Sequence, residues 1–182
     1  MAMSTASVRH RLIGKDSVGT WVDRELLIRI GLGTLIAAVL DAGFAFVTYV
    51  LIAHRYNFET LLQYIATGVD HHAFRSGWTG VGTAALGFVI HLGLSLGFAV
   101  AYAVGLRNAQ RSTAGIAALG IIYGAVIWVI MAGAVLPGLG VMHEPAGGRY
   151  WWAFLVDHAI LVGLPIAVIG SFRSNFNKDH QR

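Results

Sequence analysis

Four apolar stretches, at about residues 30–53, 80–106, 113–136 and 150–172, each reach the roughly 20 residues that a helix needs to cross a hydrocarbon core. In a chain of 182 residues they leave little for anything else, so the expected fold is all-α: a four-helix transmembrane bundle. The composition, 56% hydrophobic and 12% charged, departs from that of soluble domains in the same direction. There is no cysteine, which removes disulfides, thiolate metal ligands and iron–sulfur ligation. Any cofactor would have to be held by histidine, carboxylate or packing.

Between the apolar stretches the chain is polar. Residues 1–29 read as a tail ending in a short interfacial helix around Trp21, and they lack the apolar core of a removable signal peptide, so the first span is expected to be its own signal anchor. Residues 173–182 form a second tail. From His54 to Trp78, Leu61, Leu62, Ile65 and Val69 recur at helical spacing while Glu59, Gln63 and Thr67 occupy other faces. This segment is too short and polar to span, and reads as an additional amphipathic helix, Phe58 to Val69, lying on the bilayer surface before an Asp70-His71-His72 turn.

Lys and Arg set the orientation. Ten of the thirteen lie in the two tails and the connection between spans 2 and 3, against Arg55, Arg75 and Arg149 in the opposite loops. The positive-inside rule then predicts both termini in the cytoplasm, with the bacterial inner membrane as location. Trp21, Trp78, Tyr150, Trp151 and Trp152 are the expected interfacial anchors, the last four as a belt on the outer face. The basic residues are spread over segment ends and form no compact face for nucleic acid.

Gly93, Gly97, Ala101 and Gly105 recur every four residues in span 2, and Gly120 and Gly124 do so in span 3, which lets neighbouring backbones approach. The expected use is contact inside the bundle, with contact to another subunit as the alternative. Pro165 is expected to kink span 4.

Asp41, His91, Asp157 and His158 are the candidate functional set, because a charge at mid-bilayer costs a few kcal/mol and has to face protein or water. Asp41 and His91 each lie about eleven residues into their spans, so a direct Asp41–His91 hydrogen bond is expected. It would serve as a clasp, a proton relay or an oriented histidine ligand. Asp157 and His158, adjacent on a helix, should point about 100° apart and not share a face. A haem between His91 and His158 is opposed by their offset in depth. His54, His71, His72 and His143, with Asp70 and Glu144, gather in the loops but fit no zinc spacing, so no metal site is assigned.

No Walker loop, nucleophile elbow or H-E-x-x-H occurs, and no catalytic residue is assigned. Leu62-Gln63-Tyr64-Ile65-Ala66-Thr67-Gly68, then Ala73-Phe74-Arg75-Ser76-Gly77, Ala84-Ala85-Leu86-Gly87 and His91 stand in order along the chain. Asp41, Val135-Leu136-Pro137, and His158 followed by Val162-Gly163-Leu164-Pro165 extend the set. In these features the sequence resembles a group of small bacterial inner-membrane proteins without an assigned activity; the resemblance implies the topology and a bacterial origin. Three functions remain open: a non-enzymatic accessory subunit of a larger membrane complex, for example respiratory or photosynthetic, packing on other helices, lipid or pigment; a small proton-coupled carrier using Asp41, His91 and His158; and a haem- or quinone-binding redox module.

Overall fold

The structure, a computed structural model, describes residues 24–109, 112–141 and 146–171. Its described residues are helical, with no strand. Four continuous helical stretches are long and apolar enough to cross a membrane: Arg24–Ile52, Gly77–Gly105, Thr113–Gly138 and Arg149–Ser171. The first comprises α1 (Arg24–Ala45) and a π-helical end, Phe46–Ile52. A short helix, α2 (Phe58–Ala66), precedes α3 (Gly77–Gly105). The third stretch is α4 (Thr113–Ile130), a π segment Met131–Val135 and α5 (Leu136–Gly138). The fourth is α6 (Arg149–Asp157), a π segment His158–Gly163 and α7 (Leu164–Ser171). Arg24–Arg29, expected before the first span, belong to α1 without a break, with Arg29 paired to Glu25 one turn earlier. Trp21 lies outside the described residues.

The helix starts follow local chemistry. Asn57 caps α2 by accepting from the Thr60 amide at 2.8 Å, and Ser112 caps α4 by accepting from the Gly115 amide at 3.1 Å. Two of the three π segments run into a Leu-Pro pair, Leu136-Pro137 and Leu164-Pro165. Proline has no amide hydrogen and its ring crowds the carbonyl four residues back, here Gly133 and Leu161, so the preceding turn widens instead of breaking. Pro165 thus acts through a π turn. The π segment Phe46–Ile52 has no proline after it, and nothing in the structure explains it.

The fourth stretch is the centre of the bundle. It packs on α1 and on α4, while α3 packs on α1 and carries α2. Close packing on α4 uses glycine: a methyl group added at Gly124 would strike the carbonyl of His158, and one at Gly163 would strike the backbone of Gly120 and Gly124. The stripe on α3 behaves differently. Gly93, Gly97, Ala101 and Gly105 are exposed, and a methyl group at any of the three glycines meets nothing within 4 Å. They do not make the contacts inside the bundle expected of them, because α3 turns the opposite face, with Ser95, Ala99 and Tyr102, to its neighbours.

α3 and α4, although joined by a short connection, stay together mainly near it. There the Tyr123 hydroxyl donates to the Phe98 carbonyl at 2.7 Å, and the Tyr102 and Tyr123 rings meet edge to face at 5.4 Å. Towards the other end, called here the loop end, α2 and its following turn cover the space between them: Leu62 lies on Gly87 of α3, and Gly68 lies against Leu139 and Val141 beyond α5. Gln63, expected on a polar outer face, is buried in this contact. Its amide nitrogen donates to the carbonyls of Arg75 and Gly80 at 2.9 and 3.1 Å and to Glu59 at 3.2 Å, which clamps α2 to the start of α3. Val69, expected on the apolar face, is exposed.

The two kinds of glycine make a clear contrast in stability. Gly124→Ala should cost about 1–3 kcal/mol, the range for forcing atoms into a filled core, whereas Gly97→Ala should stay within about 0.5 kcal/mol. Thermal or denaturant unfolding of the detergent-solubilised protein measures both, and equal effects would contradict the packing described.

Candidate functional site

Three layers stack along the bundle. Towards the turn that joins α3 and α4 lies an apolar core of Ala37, Ala99, Tyr102, Val162, Ile166 and Ala167. Towards the loop end lies an aromatic cluster in which Trp128 stacks on Phe154 at 5.4 Å and Phe154 on Tyr49 at 5.4 Å. Between them the four candidate residues converge from three helices: Asp41 from α1, His91 from α3, and Asp157 and His158 from the fourth stretch.

The hydrogen bonds fix the histidine tautomers. His91 Nε2 is 3.0 Å from the carbonyl of Ala38, which can only accept, so Nε2 carries the proton. In the neutral ring Nδ1 is then the lone-pair nitrogen, and it lies 3.7 Å from Asp41 Oδ2. The expected direct Asp41–His91 bond is therefore not formed; the backbone of α1 takes the donor nitrogen because Ala38 lies one turn before Asp41. His158 Nδ1 is 3.1 Å from the Phe154 carbonyl and 3.1 Å from Asp157 Oδ2, so it is the donor of its ring. Nε2 is left as the lone-pair nitrogen.

Asp157 and His158, expected on different faces, are both buried and bonded to each other. Adjacent residues can both be buried here because the fourth stretch packs on α1 and on α4, and His158 Nδ1 reaches back to the Phe154 carbonyl and sideways to Asp157. His158 Nδ1 lies 3.9 Å from Asp41 Oδ1, and one oxygen of each aspartate lies within 4.8 Å of the other and of His158. A metal ion among these three would need His158 to give up the Nδ1 proton that it donates to Phe154, so a cation held through Nδ1 does not suit the bonding present. Asp157 Oδ1 and Trp128 Nε1 are buried without a hydrogen-bond partner.

Above this layer is a cavity of about 500 Å³. It runs from Arg55 and Val141 at the loop end to Asp41, His91, Phe98 and Val162 at mid-bundle, with Trp128, Phe154 and His158 along its wall. Such a volume lies within the range of small-molecule sites. Each π segment contributes to the lining, through Tyr49, through Met131 and Val135, and through His158 and Val162. The two Leu-Pro pairs were the available sign in the sequence of a widened interior.

The expected interfacial anchors divide. Trp78 and Trp152 are exposed at the loop end. Tyr150 is buried instead, with the Arg55 and Arg149 guanidiniums 4.9 and 4.5 Å from its ring, and Trp151 packs between Trp128 and Trp152. In the loops, Asp70 accepts from the His72 amide and from Arg75, both at 2.9 Å, which closes the turn. His54, with its backbone in the left-handed region at φ 50°, and His71 stand exposed there, while His143 and Glu144 lie outside the described residues. No family model matches this chain, and neither a curated protein nor a solved structure matches it.

The His158 ring centroid is 4.9 Å from that of Trp128. A protonated imidazole accepts an electron from an excited indole, so tryptophan emission should contain a pH-dependent component from this pair. That pH-dependent component should vanish in both His158→Gln and Trp128→Phe, and its persistence in either variant would contradict the assignment.

Proposed function

We propose that this chain is a small proton-coupled membrane carrier, built around Asp41, His91 and His158. The observation that carries the reading is the cavity, which runs from the loop end to mid-bundle and has these three residues in its lining. A cavity that places polar residues at mid-bundle suits a molecule that binds there and exchanges with protons. Tyr102, fully buried below the floor, and the Tyr123–Phe98 bond close the way to the other end. Asp41 is the exchanging group in this scheme, because it reaches the cavity and lies between the two histidines. His91 and His158 are oriented through backbone carbonyls and share the proton. Asp157 positions His158 through Nδ1 and is not itself on the cavity surface.

In this reading the protein is a multi-pass protein of a bacterial inner membrane with both termini in the cytoplasm, as the distribution of Lys and Arg supports. The cavity then faces the outer side, and α2 lies near the outer membrane surface. Proton movement into vesicles reconstituted with the protein and loaded with a pH-sensitive dye tests the carrier directly. The wild type should dissipate an imposed proton gradient at least about tenfold faster than Asp41→Asn, on the scale of general acid–base groups removed from a relay. Wild-type vesicles no faster than empty ones under gradients of both signs would overturn it.

A second reading, a non-enzymatic subunit of a larger membrane assembly, is favoured by the exposed small-residue stripe of α3, which offers another helix a close approach. Native gel electrophoresis in mild detergent should then show the chain migrating with larger subunits, and Gly97→Leu should release it. Migration as a free monomer at every detergent strength would remove this reading.

A further inference from the structure

We infer that the molecule taken into this cavity is a hydrophobic organic cation, an amine or ammonium with an apolar body, whose charge is held against Asp41; the inference rests on the carrier reading above for its setting. The floor is rich in acceptors and poor in donors. The lone-pair nitrogen of His91 faces Asp41 Oδ2 across 3.7 Å, two acceptors opposed with nothing between them, which asks for a proton or a donor. His158 has already spent its donor nitrogen on Phe154 and Asp157, so its free Nε2 is a further acceptor. Asp157, 1% exposed and outside the cavity lining, holds an unpartnered oxygen, Oδ1, behind this floor. Among the described residues no Lys or Arg lies within ion-pairing distance of either aspartate.

Two carboxyl groups so placed in an apolar bundle favour positive charge beside them, which a cationic ligand in the cavity supplies. The walls suit the same ligand. Trp128, Phe154 and Tyr49 line the cavity as a stacked aromatic set, an apolar wall for the body of such a ligand. A neutral carbonyl compound such as a quinone needs donors, and the unpartnered one here is Trp128 Nε1. An anion would have to use Arg55, at the far end of the cavity, and leave the floor uncompensated.

The ammonium hydrogens are accepted by the Asp41 carboxylate and the histidine lone pairs. The titratable groups that face Asp41 are His91 from α3 and Asp157 and His158 from the fourth stretch; α4 contributes Trp128 to the same cavity, and Tyr49 follows Asp41 on its own stretch.

Three probes with one skeleton, 4-phenylbutylamine, 4-phenylbutanol and 4-phenylbutyrate, test this by calorimetry or tryptophan emission on the full chain in detergent. The amine should bind at least about tenfold tighter than the alcohol or the acid. Asp41→Asn should erase that preference, with an unchanged helical circular dichroism spectrum showing the bundle intact. Equal or tighter binding of the alcohol or the acid, no saturable binding of the amine, or a preference that survives in Asp41→Asn each overturns the inference. Amine binding in a protein that moves no protons across vesicles would instead overturn the carrier reading and leave this one standing.

Discussion

Two carboxyl groups lie close together at the middle of an apolar bundle, and the rest of the interior is arranged around them. Neither is paired with Lys or Arg among the described residues, so the titratable groups beside the pair are two histidines. A permanent ion pair would have satisfied them and fixed the site in one state. Histidine partners instead allow the net charge of the layer to change at little structural cost, because each ring keeps its place through a backbone carbonyl that does not titrate. The same bonds decide which nitrogens remain free, and so make the floor accepting.

The geometry of that layer depends on how closely the fourth stretch can approach α4. Gly120, Gly124 and Gly163 bring the two backbones into contact, and the contact reaches the carbonyl of His158 itself. Pro165, two residues past Gly163, widens the turn that begins at His158. Close approach on one side and a widened turn on the other place His158 against Trp128 and Asp41 together. On the third stretch Pro137 has the matching effect, and the widened turn there becomes cavity wall.

The spans were legible in the sequence because hydrophobic length is a one-dimensional property, and Gly120 and Gly124 were legible as contacts because small residues at four-residue spacing mark one face. Which face is used is a property of the neighbours, and the α3 stripe shows it: the same spacing at Gly93, Gly97 and Gly105 faces outward. Gln63 misled for a related reason. Polarity implied solvent, whereas its amide serves three acceptors at a buried contact. For the site, depth along the membrane brought Asp41 and His91 to one level, but the bond between them was displaced by a backbone acceptor that no residue type announces. Asp157 and His158 were assigned to different faces by their helical step, whereas the fourth stretch packs on both α1 and α4 and buries both. The cavity had no signal beyond the two Leu-Pro pairs, since empty space is a product of the whole packing.

A four-helix bundle has little interior, and this one divides its helices unequally to make room. The fourth stretch is half buried within the bundle, against 17% for the first and 28% for the second and third. It therefore carries the close packing and two of the four polar residues together, and changes in it will disturb fold and site at once. Asp41 and His91 come from helices with much of their surface facing outward, where small shifts are cheap because few packed neighbours oppose them. The glycine contact between α4 and the fourth stretch does not involve α3, whose own contacts are to α1, α2 and α7. Close packing is thus concentrated on one side of the polar layer, and the cavity lies on the other.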